Sequence, residues 1–339
     1  MPLSFITSFL RLGGLAARFN SVLRSFRKCD YVVDIGGITF SEDRGLSGLL
    51  INATWTLLAL FSGKPLIKLS QAFGPIRKRW FRFVSHFLLD RIQCLIARGN
   101  LSRQELDTLN LQGEIFECAD LAFLLPTEES DKTRELMKPK DRILLGIAPS
   151  SVLYSKLGGL PYLHLMANII ENMLLEYSCA TIWLYAHSFR EEKTYSNNDG
   201  PICRKIFNAL SETAQSKTKL VMGDYSPSEM RALVSRSDVF LACRFHAMVS
   251  ALVAGVPTAV LDWSHKYREV QMQFGIDYCI DYKKSTVASI CSTLSSLIDK
   301  REDVTEIIQS RLSGVIASSL DNFRILGLFV NKYREENSL

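Results

Sequence analysis

Short apolar runs that end on a glycine or a polar residue and lead at once into a helical pattern recur along this chain, and that rhythm admits few folds. Tyr31-Val32-Val33-Asp34-Ile35 ends in Gly36-Gly37 and precedes a helix over Leu49–Phe61. Leu66-Ile67-Lys68-Leu69 runs into Gln71-Ala72-Phe73-Gly74-Pro75; a helix follows over Trp80–Asp90, and Gln93-Cys94-Leu95-Ile96-Ala97 closes at Arg98. A polar stretch at 127–141 reads as a linker, after which the rhythm restarts. Arg142–Ala148 opens into Pro149-Ser150-Ser151, a helix over Tyr162–Glu176 leads to Ala180–Ala186, and that strand ends at His187. Ser226-Pro227-Ser228-Glu229 is a capping box with Pro at the first helical position. Two such series predict an α/β protein of two Rossmann-like domains with mainly parallel sheets facing across a cleft. The expected division is a basic amphipathic helix over 1–29, an apparently shortened N-terminal domain over 30–135, a C-terminal domain over 136–310 and a C-terminal helix over 311–339.

Within that frame one tetrapeptide carries the most chemistry. Arg244-Phe245-His246-Ala247 follows the β-prone run Asp238–Cys243 and precedes a small-residue helix stopped by Gly255-Val256-Pro257. In open α/β sheets ligands collect where strands end and the next helix presents its partly positive N-terminus. A fixed cation at Arg244 and a titratable imidazole at His246 therefore stand where an anion would bind. The plainer reading is a salt bridge and a capping residue.

The charge distribution narrows the partners. Of the 40 Lys and Arg, five (Arg11, Arg18, Arg24, Arg27, Lys28) fall in residues 1–29 with no acid, so the remainder equals the 35 Asp and Glu. A neutral body argues against nucleic acid as a partner. The eight cysteines are scattered singly, with no C-x-x-C pair and no zinc spacing, as buried thiols of a reducing cytoplasm are. No metal site is expected. Near the N-terminus the apolar stretch Leu3–Leu10 comes before the basic residues, the reverse of a secretory signal. Phe5, Phe9, Leu12, Phe19, Leu23 and Phe26 recur at helical spacing, which suits either a helix packed on the fold or one lying on a membrane surface. Gly45–Gly63 is uncharged and long enough to span a bilayer, but its polar and small residues and the strand that follows favour a buried crossover helix.

The order of several short motifs resembles the polysaccharide pyruvyl transferases, a family similar in fold to GT-B glycosyltransferases. The resemblance runs from about Asp30 to Asp281. It rests on Val33–Gly37, Gln71–Pro75, Ala97-Arg98 followed by Ser102, and Ala119–Phe123 in the first half. In the second half it rests on Ser150-Ser151, Tyr185–His187, Arg244–Ala247, Gly255–Pro257 and Ser264-His265-Lys266-Tyr267. Family members transfer a pyruvyl group from phosphoenolpyruvate to two hydroxyls of a sugar, forming a ketal and releasing phosphate. The resemblance thus implies phosphoenolpyruvate as donor, with no other cofactor, and a sugar or lipid-linked glycan as acceptor.

That donor carries a phosphate and a carboxylate, so fixed cations are needed: Arg244 suits bidentate binding and Lys266 adds a point charge. An imidazole can exchange protons near neutrality, which assigns His246 and His187 to catalysis. Ser150 and Ser151, Arg98, and the loop of Asp34, Gly36 and Gly37 complete the expected substrate-binding set. The acid that often follows the family's arginine is Gly99 here, and the family's usual first strand and Gly-rich loop have no counterpart ahead of Asp30. The basic run Arg77-Lys78-Arg79 with Trp80 and Arg82 suits an anionic acceptor, a membrane surface or simply solvent. The implied setting is cytoplasmic, with peripheral contact at the inner membrane face through residues 1–29. Two rivals stay open: a GT-B glycosyltransferase using a nucleotide sugar, with Glu229 or Glu269 for the ribose, and a non-catalytic relative acting as a binding module.

Overall fold

The structure, a computed structural model, describes residues 13–191 and 197–336, with side chains from residue 21 onward. Residues 1–12, and with them Phe5, Phe9 and Leu12 of the expected amphipathic helix, lie outside the described residues. The chain forms two compact units, Met1–Asp120 with Ser318–Leu339, and Leu121–Ala317.

In the first unit the strands are β1 (Val32–Asp34), β2 (Ile38–Thr39), β3 (Leu66–Phe73), β4 (Cys94–Ala97) and β5 (Glu114–Glu117). All pairings are parallel, in the order β1-β3-β4-β5, with β2 beside the far end of β3. The helices are α1 (Gly13–Lys28), α2 (Gly45–Phe61), α3 (Arg79–Leu89) and α4 (Asn100–Asp107). Because the strands advance in one direction and such crossovers are right-handed, α2, α3 and α4 share one face of the sheet. Phe40, Leu49, Ala59, Phe73, Phe81 and Leu95 form the core beneath them.

One element departs from expectation. The stretch Glu42–Phe61 is long and apolar enough by length and composition to cross a membrane, at mean hydropathy 1.2. Its helix α2 instead lies along the sheet, with Gly48, Leu49, Thr56, Leu58 and Ala59 buried. Leu46, Leu50, Ile51, Trp55 and Phe61 are more than half exposed. The alternation of strand and helix predicts a crossover helix covered on all sides, but a uniformly apolar helix carries no signal of which side lacks a cover.

The second unit holds the strands β6 (Ile143–Ala148), β7 (Ala180–Tyr185), β8 (Thr218–Val221), β9 (Val239–Ala242), β10 (Thr258–Asp262) and β11 (Cys279–Asp281). Its sheet is parallel in the order β11-β10-β9-β6-β7-β8. From β6 the chain adds β7 and β8 on one side and then β9, β10 and β11 on the other, so the doubly wound switch point lies between β6 and β9. The helices are α5 (Asp131–Arg134), α6 (Ser151–Lys156), α7 (Leu160–Glu176), α8 (Gly200–Asn208), α9 (Glu212–Ser216), α10 (Pro227–Val234), α11 (Phe245–Val253), α12 (Lys266–Gln273) and α13 (Val287–Asp299). Ser226 and Glu229 form the expected capping box at α10. Gly146 in β6 is fixed by packing: a Cβ there would sit 2.4 Å from both the Phe240 ring and the Ser237 hydroxyl.

The units divide at 120/121 rather than at 135/136, and hydrogen bonds show why. The last helix, α14 (Arg301–Glu336), is continuous and belongs to the first unit from Ser318 on. There Ala119 N–H donates to Ser318 Oγ at 3.0 Å, Ser319 Oγ donates to Asp120 O at 2.8 Å, and Asn322 accepts from Ser70 N–H at 2.8 Å while donating to Ala119 O at 3.1 Å. Just beyond, Arg231 of the second unit donates to the carbonyls of Ala122 and Leu125. The polar stretch expected as a linker is likewise held in the second unit, where Arg236 donates to Thr133 O at 2.6 Å. Buried backbone groups need partners, and these side chains decide which unit each segment joins.

Candidate functional site

The second unit carries a cavity of about 770 Å³ at the carboxyl ends of its strands. Its wall includes His187 after β7, Arg244 and His246 after β9, and Trp263 and Lys266 after β10. Arg231 from α10 and the segment Leu121–Pro126 complete it. Four residues expected from sequence to work together, His187, Arg244, His246 and Lys266, therefore do share one space. The first turns of α11 and α12 also line it, adding partly positive helix ends. Among the described lining residues there are three cationic side chains and two histidines but no carboxylate.

Arg244 has a set of internal partners. It occupies the N-cap of α11, and its guanidinium is turned into the protein. Nε donates to both Asp199 oxygens, at 3.1 and 2.9 Å; Nη1 donates to Asn197 Oδ1 at 2.8 Å, and Nη2 to Ser151 Oγ at 2.8 Å. Nη2 also meets Asp199 in a close ion pair, with the carboxylate side chain fully buried. Asp199 accepts in addition from Ser151 N–H at 2.9 Å and Ser188 N–H at 3.0 Å. Burial lifts its carboxyl above the ordinary value, against the pull of Arg244 and these N–H groups. The cluster ties the switch-point loop after β6 to the loops after β7 and β9. Within the fold Arg244 holds both oxygens of Asp199 while still lining the cavity. Arg244 contributes its charge to the wall and fixes the wall's shape.

Lys266 also faces the cavity. It is about nine-tenths buried, with Nζ 4.8 Å from the Phe245 ring centroid, 4.9 Å from Trp263 and 5.3 Å from Tyr267. Three ring faces stabilise an ammonium that has lost much of its water. Arg231 is also buried; burial lowers its pKa to about 10, so it remains charged at neutral pH.

The two histidines differ sharply. His246 is exposed at the rim. His187 is pushed down to about 3, first by burial and then by the charges of His246, Arg244 and Arg231. It is a neutral imidazole throughout the physiological range. An unfolded chain binds a proton at this residue below about pH 6.5 that the folded protein refuses, so its stabilising effect is complete above that pH and is lost as pH falls toward 3. Between pH 7 and 5 the wild type should lose on the order of 1–2 kcal/mol that a His187→Gln variant keeps. Urea unfolding at the two pH values measures the difference; parallel losses in both proteins would refute it.

The remaining expected residues fall elsewhere. Ser150 is fully buried and caps α6, its Oγ accepting from Val152 N–H at 3.2 Å. Arg98 is buried in the first unit, paired with Asp120 at 2.7 Å. Asp34, Gly36 and Gly37 line a separate first-unit cavity of about 500 Å³, with Arg44, Asn52 and Trp55. There Asp34 pairs with the buried Lys68, and Gln71 donates to Asp34 O at 2.9 Å while accepting from Thr39 Oγ1 at 2.8 Å. Burial alone would raise the Asp34 carboxyl, but Lys68 and the Gly36 N–H hold it below its ordinary value. Gly36 serves packing, since a Cβ would lie 3.1 Å from Asp34 Oδ1 and 3.2 Å from Thr39 Cγ2; Gly37 has ordinary room.

Sequence reasoning missed Asp199, Asn197 and Arg231. Asp199 before Gly200-Pro201 reads as a turn, but Arg231 is a lone charge in Met230-Arg231-Ala232-Leu233-Val234, a signal that it has buried work to do.

Residues 4–265 match the family Polysaccharide pyruvyl transferase. The chain belongs to that family. It is therefore an enzyme of polysaccharide pyruvyl transferase type, a glycan-modifying transferase with a sugar or glycan acceptor. The family match begins ahead of the expected Asp30, so the N-terminal region lies within it. The amylovoran biosynthesis protein AmsJ of Erwinia amylovora is 21% identical over 313 residues, covering 89% of this chain and 71% of that protein. Solved structures confirm the GT-B-like architecture of two parallel α/β units. MnaA from S. aureus is similar at TM-score 0.62 and 12% identity, over 92% of this chain and 80% of its own. An α,α-trehalose-phosphate synthase from Burkholderia xenovorans is similar at TM-score 0.54 and 11% identity, over 80% and 70%.

Proposed function

We propose that the second-unit cavity binds phosphoenolpyruvate and that the protein transfers its pyruvyl group to two hydroxyls of a sugar in a glycan precursor, at the cytoplasmic face of the membrane. The observation that carries this reading is the cavity wall: Lys266, Arg231 and Arg244 with two histidines, and no carboxylate among the described lining residues. A donor with a phosphate and a carboxylate gains from every cation there, and a half-buried wall screens those attractions less than water does.

Lys266 meets the phosphate or the carboxylate, and Arg244 and Arg231 add their positive field. In the reaction one sugar hydroxyl bonds to C2 of the donor as its C3 gains a proton. The second hydroxyl then displaces phosphate at C2, so the two hydroxyl protons end on the new methyl group and on phosphate. His246, exposed at the rim, relays these protons; neutral His187 accepts or donates a hydrogen bond without changing charge. On the first unit, Asp34 and Asn52 beside the Trp55 ring offer hydroxyl partners and an apolar face of the kind sugars use.

The nucleotide-sugar alternative draws no support from its candidate acids. Glu229 is committed to the capping box and Glu269 is buried in α12. Mixing the protein with phosphoenolpyruvate and a panel of lipid-linked and nucleotide-linked sugars should release phosphate with at least one of them. His246→Ala should slow that release by about 10²–10⁴-fold, the usual weight of a proton-transfer group. Phosphoenolpyruvate should also raise the melting temperature where uridine diphosphate does not, since a ligand stabilises the state it binds. Stabilisation by the nucleotide alone would favour the glycosyltransferase, and full cellular function in His246→Ala would favour a binding module.

A further inference from the structure

The first unit leaves an apolar, aromatic surface open on the helical side of its sheet. Helix α3 turns Trp80, Phe83 and Phe87 outward, at 50, 70 and 45% exposure. They sit at i, i+3 and i+7, a single stripe along the helix. Its opposite stripe, Phe81, Ser85, Leu88 and Leu89, is buried in the core, so the exposed one is not a packing face that has slipped. The neighbouring α2 packs beside α3 and adds Leu46 and Leu50, at 60 and 57% exposure. Nothing charged interrupts α2 from Gly45 to Phe61. Monomeric proteins seldom leave this many large apolar side chains exposed on two neighbouring helices without a use for them.

What borders the stripe identifies the occupant. Residues 77–91 hold Arg77, Lys78, Arg79, Arg82 and Arg91 against the single acid Asp90. Arg77, Lys78, Arg79 and Arg82 are exposed, and Arg91 lies over the Phe87 ring at 3.9 Å. Aromatic side chains with long basic ones at their margin match the boundary between acyl chains and anionic headgroups: rings settle at that depth while the cations reach outward. A soluble anion would be matched by the cations alone. An anionic lipid surface uses both halves of this patch.

We propose that the outward faces of α2 and α3, with the basic run 77–82, dock the protein on an anionic bilayer surface. The helices lie on that surface and do not cross it, because α2 contributes Leu49 and Ala59 to the core and runs directly into β3. This inference stands apart from the donor chemistry: it concerns the first unit alone and holds or fails whatever the second-unit cavity binds.

Full-length protein and vesicles of phosphatidylcholine, with or without about one-third phosphatidylglycerol, provide the test. Cosedimentation should be strong only with the anionic vesicles and should weaken as salt rises. Tryptophan emission should shift to the blue on binding, because Trp55 and Trp80 are half exposed while Trp183 is buried. Leu50→Glu/Phe83→Glu and Lys78→Glu/Arg79→Glu should each cut partitioning by at least tenfold while the melting temperature and phosphate release from soluble acceptors stay near wild type. Equal binding by wild type and both variants would place the lipid contact elsewhere and overturn the proposal. Absence of binding would also overturn it, with sedimentation velocity then showing whether a second copy covers the face, as a dimer, or the chain's own residues 1–12 do, as a monomer.

Discussion

Lys266→Met should lower kcat/KM for phosphoenolpyruvate by about 10- to 100-fold, mainly through KM, while the protein melts close to the wild-type temperature. The size follows from the worth of a hydrogen bond to a charged group, about 1.5–3 kcal/mol. Met preserves most of the stem that packs against Phe245, Trp263 and Tyr267, so the rings keep a neighbour and only the charge is lost. Were Lys266 a structural cation held by those rings, the order of effects would reverse: the melting temperature would fall and donor affinity would stay. Steady-state kinetics paired with thermal unfolding separates the two.

Asp199→Ala should produce the largest loss of stability of any single substitution in the second unit, about 3–5 kcal/mol. Removing one partner of a buried pair leaves the other uncompensated. Here the stranded group is the Arg244 guanidinium, and the N–H groups of Ser151 and Ser188 lose their acceptor as well. Arg244→Ala should cost less, because Asp199 keeps those two backbone donors. The double variant Asp199→Ala/Arg244→Ala should be more stable than the sum of the single losses implies, since deleting both charges removes the desolvation penalty with the bond. Urea unfolding of the four proteins measures the coupling. Additive losses would mean that the pair is not the hub of the switch-point loops.

The fold was legible where a local signal agreed with the tertiary outcome. The apolar runs at Leu66, Ile143, Ala180 and Val239 became parallel strands, and Ser226 with Glu229 became a helix cap, because periodicity and capping are properties of adjacent residues. The position of Arg244 and His246 at a strand end was equally local. What Arg244 binds was not: Asp199 lies 45 residues away, in a segment whose own sequence describes only a turn. An arginine at a ligand edge and an arginine bracing that edge present the same sequence, and only the partner tells them apart. The boundary at 120/121 was hidden for a related reason. Ser318, Ser319 and Asn322 are ordinary polar residues in a long helix until their hydrogen bonds to Ser70, Ala119 and Asp120 are seen. Helix α2 shows the converse, an apolar sequence that predicts burial and a fold that covers only half of it.

These points place the weight of the functional reading on the second-unit cavity. The most direct test is a crystal of the protein soaked with phosphoenolpyruvate. Density for the donor should lie in the cavity lined by His187, Arg231, Arg244, His246 and Lys266, with an anionic oxygen within hydrogen-bonding distance of Lys266 Nζ. Donor density in the first-unit cavity beside Asp34, or a second-unit cavity without donor at saturating concentration, would contradict the account.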